Sequence, residues 1–162
     1  MQVQLVRVDL IAVGALAADV AALVTDYERR LARYVRLDVH EVKAEPTARG
    51  AAVVLRAEAE RIAKVLDRVA PPGSGHSTRI VALDSRGTQA STEQLVELWL
   101  GAATHLVLLI GGTMGLPAEI AQRAQARVAF GRITLPHQLA RLVTTEQLYR
   151  TFRIARGEPY HF

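Results

Sequence analysis

Cysteine is absent from the 162-residue sequence, and aromatic residues make up only 5% of it. The absence of cysteine excludes disulfides, zinc–thiolate sites and thiol nucleophiles, and it fits a reducing compartment. With few aromatic side chains, the hydrophobic core has to be built from Val, Leu, Ile and Ala. No apolar run approaches the roughly 18 residues of a membrane-spanning helix, and the histidines show no metal-ligand spacing. We therefore predict a cytoplasmic protein with no membrane span and no metal site.

Residues 10–18, LIAVGALAA, are apolar and superficially similar to a secretion signal. Asp9 and Asp19 flank this stretch, and its periodicity continues beyond residue 18, so a signal peptide is disfavoured. The sequence is 50% hydrophobic and 22% charged, which is typical of a globular protein. A chain of this length suits one compact unit, and we predict that residues 1–162 form a single domain.

The net charge of +4 is concentrated near the C-terminal end. Residues 120–162 hold seven arginines and two glutamates, whereas residues 1–119 hold 13 basic and 14 acidic side chains. The planar guanidinium of arginine binds phosphate and stacks on bases. A solvated helix surface has the same composition, so the charge pattern leaves both nucleic-acid binding and an ordinary surface open.

Hydrophobic periodicity predicts strands that alternate with helices along the chain. Strands are expected over residues 2–8, 35–42, 79–83, 105–110 and 127–135, and helices over 16–34, 52–69, 91–103, 117–126 and 137–155. Ser91 and Gln94 have the spacing of a capping box, and Glu146 and Arg150 that of a helical ion pair. The alternation predicts an α/β fold with a mainly parallel sheet flanked by helices. Ligands of such sheets bind beyond the carboxyl ends of the strands, which carry residues 84–87, 111–115 and 134–137.

These three segments leave several interpretations open. The glycines of GGTMG, residues 111–115, match neither the dinucleotide fingerprint nor the P-loop, because the spacing differs and no lysine follows. They can simply end a strand, or they can present bare backbone to a flat ligand. His137 can serve as a general base, a phosphate contact or the first residue of a helix. Leu83 and Asp84 can contact a ligand or begin a turn.

Four ordered blocks, IVALDSRG, LLIGGTMGL, RITLPHQLARL and EQLYRTFRI followed by PYH, resemble one protein family. It is the bacterial large-subunit ribosomal RNA pseudouridine N3-methyltransferase family of the SPOUT class. The resemblance covers essentially the whole chain and is most specific from residue 80 onward. It implies an α/β fold with a C-terminal trefoil knot, a homodimer of antiparallel chains and S-adenosylmethionine bound in the knot. The implied reaction is methylation of N3 of a pseudouridine in 23S ribosomal RNA.

The resemblance also implies roles for particular residues. The residues expected to bind the cofactor are Leu83, Gly111, Gly112, Phe130, Gly131, Arg132, Ile133, Thr134 and Leu135. The residues expected to face the RNA or the reacting base are His137, Arg150, Tyr160 and His161. In this set, His137 orients or accepts the N3 proton, and Arg150 stabilises negative charge on the ring.

Two departures from the family and three alternatives accompany this expectation. Thr113 and Met114 follow the paired glycines where the family usually has proline, and Phe162 ends the chain where a basic residue is usual.

One alternative is a SPOUT methyltransferase acting on another RNA nucleotide, and a second is a non-catalytic ribosome-binding protein. A flavodoxin-like nucleotide binder is disfavoured, because the loops lack a phosphate signature.

Overall fold

A computed structural model describes residues 2–101 and 103–160 of the protein. In chain order, its elements are β1 (Arg7–Val13), α1 (Ala18–Leu31), β2 (Arg36–Val42), α2 (Ala51–Val69), β3 (Thr78–Gln89), α3 (Thr92–Leu100), β4 (His105–Ile110), α4 (Ala118–Ala121), β5 (Ala126–Ala129) and α5 (His137–Ala155). A short 3₁₀ turn at Thr47–Arg49 precedes α2.

The strands form one sheet in the order β2-β1-β4-β3-β5, and every neighbouring pair is parallel. One face is covered by α1, α3 and α5, and the other by α2 and α4. In the central strand β4, five of six residues are buried, because the strand is covered on both faces. The predicted α/β fold with a mainly parallel sheet flanked by helices is confirmed.

The first strand differs from its prediction over residues 2–8. β1 begins at residue 7, and the apolar residues 10–13 of the signal-like stretch form its buried second half. Leu5 is buried ahead of the strand, whereas Val6 is 66% exposed. The prediction failed because β-rich composition does not show where pairing begins. Here the pairing is determined by β2 and β4 on either side.

The elements near the C-terminal end are partly as predicted. α5 matches the predicted helix over 137–155, but β5 ends at Ala129 and α4 ends at Ala121. β5 is shorter than predicted because the chain turns away at Gly131, whose φ is 111°. α4 does not continue because Gln125 joins the sheet edge, where its backbone N–H donates to Ile80 and its side chain accepts from the Ile80 N–H.

Two predicted side-chain features are also confirmed. Ser91 Oγ accepts the N–H of Gln94 at 3.3 Å, and Gln94 Oε1 accepts the N–H of Ser91 at 2.8 Å, which completes the capping box of α3. Arg150 Nη2 lies 2.7 Å from Glu146 Oε1, which is the predicted ion pair of α5.

A buried polar cluster surrounds Asp9 of β1. The carboxylate is fully buried and accepts hydrogen bonds from His40 Nε2 at 2.6 Å and His105 Nε2 at 2.7 Å. Arg7 Nε lies 2.8 Å from the same carboxylate. Burial by itself would raise the pKa of Asp9, but these donors outweigh it and hold the pKa below its usual value. The cluster therefore links β1, β2 and β4 through a charged group.

Candidate functional site

A cavity of about 470 Å³ opens at the carboxyl ends of β4 and β5 and beside residues 83–86 in the middle of β3. Residues 83–86, 110–116, 128–130 and 133–135 line it together with Leu55, Ala118, His137 and Ala140. Its volume lies within the range of small-molecule sites, about 300–1,000 Å³. The three segments predicted at the strand ends thus meet at one edge of the sheet.

The glycine loop after β4 forms one wall of this cavity. Gly112 O accepts the N–H of Gly115 at 3.0 Å, and Gly115 has a φ of 81° that favours glycine. A side chain at Gly111 would overlap the backbone of Gly115 and Leu116. The loop therefore folds back tightly on itself and leaves bare backbone at the cavity. Thr113 and Met114 are exposed and also line it.

Residues 84–87 form a bulge beside the glycine loop. Both Leu83 and Thr88 pair with Val128 of β5, so the residues between them are extruded from the ladder. Gly87 lies so close to β5 that a Cβ would be 2.6 Å from the carbonyl carbon of Arg127. The bulge places Asp84, Ser85 and Arg86 in the cavity wall.

Asp84 and Arg86 neutralise one another at this wall. Burial alone would raise the pKa of Asp84, but the backbone N–H of Arg86, at 3.0 Å, and the Arg86 guanidinium lower it. The carboxylate is therefore ionised at neutral pH. The cavity lining carries one carboxylate and one guanidinium that are paired with each other, which gives no net charge for binding a phosphate.

Residues 130–135 form the wall next to the start of α5. Phe130 and Leu135 are half-buried, whereas Ile133 is 70% exposed. Of the residues expected to bind a cofactor, seven line the cavity: Leu83, Gly111, Gly112, Phe130, Ile133, Thr134 and Leu135. Gly131 and Arg132 do not line it, and Gly131 faces a separate groove beside α3 and α5.

His137 lies at the cavity as the first residue of α5, and it is half-buried. Its Nε2 would be 3.5 Å from a Cβ on Gly14, just after β1. Gln138 Oε1 accepts the N–H of Ala17 at 2.7 Å, which ties the start of α5 to the start of α1. The start of α5 is thus fixed beside the start of α1, and the His137 imidazole lies near the end of β1.

Arg150 and Tyr160 form a second cluster with Glu146. The Arg150 guanidinium lies 4.9 Å from the centre of the Tyr160 ring, and the Tyr160 hydroxyl donates to Glu146 Oε1 at 3.2 Å. Burial, with Tyr27 and Glu146 nearby, raises the pKa of Tyr160, so the phenol keeps its proton at neutral pH. This Arg150–Tyr160 cluster does not line the cavity.

Within one chain, the structure does not bring the two groups of candidate catalytic residues together. Arg150 lies thirteen positions after His137 in α5, and a helix rises about 1.5 Å per residue, so the two residues are roughly 20 Å apart. His161 and Phe162 lie outside the described residues. Among the described residues of one chain, His137 therefore lies at the cavity and the Arg150–Tyr160 cluster lies away from it. That two chains together complete each site stays a prediction.

Several cavity residues have no signal in the sequence. Leu55 of α2 and Ala140 of α5 lie on helix faces that read as ordinary core positions, and Ala129 ends a short strand. Apolar periodicity identifies a buried face but does not distinguish packing against the core from lining a cavity. Only the strand-end rule could have indicated Ser85 and Arg86.

Known proteins are similar to this chain over most of its length. A family model described as "Predicted SPOUT methyltransferase" matches residues 6–161. A protein of Anaeromyxobacter dehalogenans named ribosomal RNA large subunit methyltransferase H is 43% identical over 144 residues, which cover 87% of this chain and 89% of the relative. A protein of the same name from Rubrobacter xylanophilus is 40% identical over 163 residues, covering 96% and 98%.

A solved structure from Bacillus anthracis, assigned as an RNA methyltransferase, is similar in fold. It has a TM-score of 0.53 at 11% identity and covers 97% of this chain and 99% of its own. Among the described residues, no helix is long and apolar enough to cross a membrane, and no group of three His, Cys, Asp or Glu side chains could hold a metal ion. Because the family model and the relatives both span most of the sequence, the chain belongs to the SPOUT methyltransferase family.

Proposed function

We propose that this protein transfers the methyl group of S-adenosylmethionine to N3 of a pseudouridine in 23S ribosomal RNA. The observation that carries the proposal is the cavity beside β3, β4 and β5, which a bare glycine loop lines together with Phe130 and residues 133–135. Relatives at 40–43% identity are named ribosomal RNA large subunit methyltransferase H. Three of the four sequence blocks that carry the family resemblance contribute residues to the cavity lining.

The lining fits S-adenosylmethionine, which has a flat base and a sulfonium but no phosphate. Leu83, Phe130 and Leu135 give apolar surface for a ring, and the backbone at Gly111 and Gly112 can hydrogen-bond to its edge. The single pair of opposite charges in the lining suits a ligand without phosphate. The residues that would hold the cofactor are Leu83, Gly111, Gly112, Phe130, Ile133, Thr134 and Leu135.

When bound, the cofactor supplies a methyl group already activated by the positive sulfur. The protein then has to position N3 in line with that methyl group and remove the N3 proton. His137 lies at the cavity and takes or orients this proton. The Arg150 guanidinium, beside Tyr160, stabilises the negative charge that develops on the ring.

We further propose that two antiparallel chains form each active site. His137 and Arg150 are too far apart along α5 to act on one base within a chain, whereas a partner chain can present its Arg150–Tyr160 cluster, with its His161, to the cavity. Leu23 of α1 and Leu139 of α5 expose large apolar side chains on helices that pack against each other. An interface between copies that covers these two helices would bury both side chains.

The C-terminal trefoil knot is part of the same proposal. β5 lies at one edge of the sheet, and two strands, β3 and β4, separate it from β1. The start of α5 nevertheless contacts the end of β1, where His137 approaches Gly14. Residues 130–137 therefore cross the carboxyl ends of the sheet, which is the path that a knotted segment needs. This path supports the knot that the resemblance implies.

Methyl transfer from labelled S-adenosylmethionine to large ribosomal subunits tests the proposed reaction. We expect label in pseudouridine with the wild-type protein. His137→Ala should bind the cofactor and lose most of its single-turnover rate, and a near-wild-type rate with saturating cofactor and RNA would contradict the role of His137. Label in another nucleotide would favour the alternative methyltransferase. Absence of cofactor binding at millimolar concentration would leave only the non-catalytic ribosome-binding protein.

Mixing two inactive variants tests the two-chain site. His137→Ala and Tyr160→Ala place their defects in different halves of the proposed site, so a mixed dimer contains one intact site. We expect activity to reappear when the two proteins are refolded together. A mixture as inactive as either variant alone would contradict the shared site while leaving the reaction itself in place.

A further inference from the structure

Glu58 of α2 places a buried carboxylate directly behind the glycine loop of the cavity. The residue is 1% exposed. Its Oε1 accepts the backbone N–H of Glu45 at 3.1 Å, but its Oε2 has no hydrogen-bond partner in the part of the chain that the structure describes. A Cβ on Gly112 would lie 3.1 Å from Oε2 and 3.3 Å from Oε1. The carboxylate therefore rests against the backbone that lines the cavity.

The position of α2 orients this group toward a ligand. Leu55, three residues earlier and thus on the same helix face, contributes its side chain to the cavity lining. The Glu58 carboxylate lies against Gly112, and Gly112 itself lines the cavity. Because glycine has no side chain, the carboxylate approaches as closely as the main chain allows.

No positive side chain compensates Glu58 among residues 2–101 and 103–160. The nearby Arg49 and Arg61 both pair with Glu45, at 2.7 Å and 2.5 Å, and Glu58 itself forms no ion pair within 4 Å. A buried carboxylate without a cation is unfavourable in an interior of low dielectric constant. The arrangement therefore leaves a negative field behind the cavity wall that a cationic ligand would satisfy.

We propose that Glu58 is a specificity-determining residue that makes the cavity prefer a cationic ligand over a neutral one of the same shape. The inference rests on the proposed function, in which the donor S-adenosylmethionine carries a positive sulfonium. Its product, S-adenosylhomocysteine, has a neutral thioether at the same place. The Glu58 carboxylate acts on the sulfonium through space, across Gly112. It therefore raises the affinity for the donor and does not raise the affinity for the product that remains after transfer.

Calorimetric titration with each of the two ligands tests this role without an activity assay. Glu58→Gln should weaken S-adenosylmethionine by about 15- to 35-fold, the order of effect of one charge at roughly 8–10 Å with an effective dielectric constant near 20. The affinity for S-adenosylhomocysteine should stay unchanged. Glu60→Gln is the matched control, because Glu60 is exposed on the same helix, and it should alter neither affinity.

Each other outcome overturns the inference. Equal weakening of both ligands by Glu58→Gln would show that the side chain only packs, and unchanged donor affinity would show that its charge does not reach the ligand. If Glu58→Gln does not fold, Glu58→Asp replaces it: this variant keeps the charge and must keep the wild-type ratio of affinities, and losing the ratio overturns the inference. Wild-type protein that binds neither ligand would overturn the proposed function as well.

Discussion

Replacing Gly111 with alanine would place a methyl group inside the tightest part of the cavity wall. The new Cβ would lie 2.5 Å from the backbone nitrogen of Leu116 and 2.6 Å from the carbonyl oxygen of Gly115. Backbone atoms cannot rotate away as a side chain can, so the loop has to move as a unit. Overpacking of this kind costs about 1–3 kcal/mol. A domain of this size loses about 2–4 °C in Tm for each kcal/mol.

We therefore expect Gly111→Ala to lower Tm by about 4–8 °C, which corresponds to about 2 kcal/mol. It should weaken S-adenosylmethionine by at least about tenfold, or 1.4 kcal/mol of binding free energy. Calorimetry and thermal unfolding measure the two effects on the same protein. A folded Gly111→Ala variant with wild-type affinity would refute the assignment of this loop to the cofactor site.

Gly73→Ala provides the matched control for backbone strain. Gly73 has a φ of 85°, and a Cβ there would have no neighbour within 4 Å. The substitution should cost about 1–2 kcal/mol, because a left-handed conformation is unfavourable for alanine. It should not change the cofactor affinity, since Gly73 does not line the cavity. Weakened binding in this variant would show that general destabilisation accounts for the effect at Gly111.

Three further predictions follow from contacts away from the glycine loop. The pKa of Asp9 lies below its usual 3.8, so its carboxylate adds stability that is complete above pH 3.8 and lost as the pH falls through the lower folded-state pKa. Asp9→Asn should cost about 3 kcal/mol in urea unfolding at pH 7 and less below pH 3.8; a pH-independent loss would contradict this. Ser91→Ala should cost about 1 kcal/mol by thermal unfolding with cofactor affinity unchanged; no loss would contradict the cap. Arg127→Ala should reduce the salt slope of single-stranded RNA binding by about 0.7. Arg123→Ala should leave the salt slope unchanged, because Asp67 already pairs with Arg123 at 2.6 Å. Equal slopes in the two variants would contradict the expectation that only Arg127 contacts a phosphate.

The sequence predicted those elements whose signals are local. β4 is an unbroken apolar run, and α5 fills the stretch between Pro136 and Gly157, which contains neither proline nor glycine; both appear at the predicted residues. The Ser91 capping box is likewise a local pattern. β1 was displaced because strand composition extends beyond the residues that pair. The short β5 was overestimated because the alternation of residues 131–135 continues after the chain has left the sheet.

From the sequence, only the site residues that lie at predicted strand ends or in the four family blocks could be predicted. The strand order, which brings the bulge within β3 beside the glycine loop after β4, depends on long-range pairing that no local pattern encodes. The helical periodicity of α2 places Glu58 on the buried face and Glu60 on the exposed one, but only the position of Gly112 shows that the Glu58 carboxylate lies beside the cavity. The distance between His137 and Arg150 follows from helix geometry alone. Only the position of the cavity shows that His137 lines it and Arg150 does not.

The most direct test of the proposed reaction is mass-spectrometric mapping of 23S ribosomal RNA from cells that lack this protein. We predict that N3-methylpseudouridine disappears from the large subunit and leaves unmethylated pseudouridine at the same position. Wild-type protein supplied in trans should restore it, and His137→Ala should not. An unchanged level of N3-methylpseudouridine in the cells lacking the protein would contradict the proposed function.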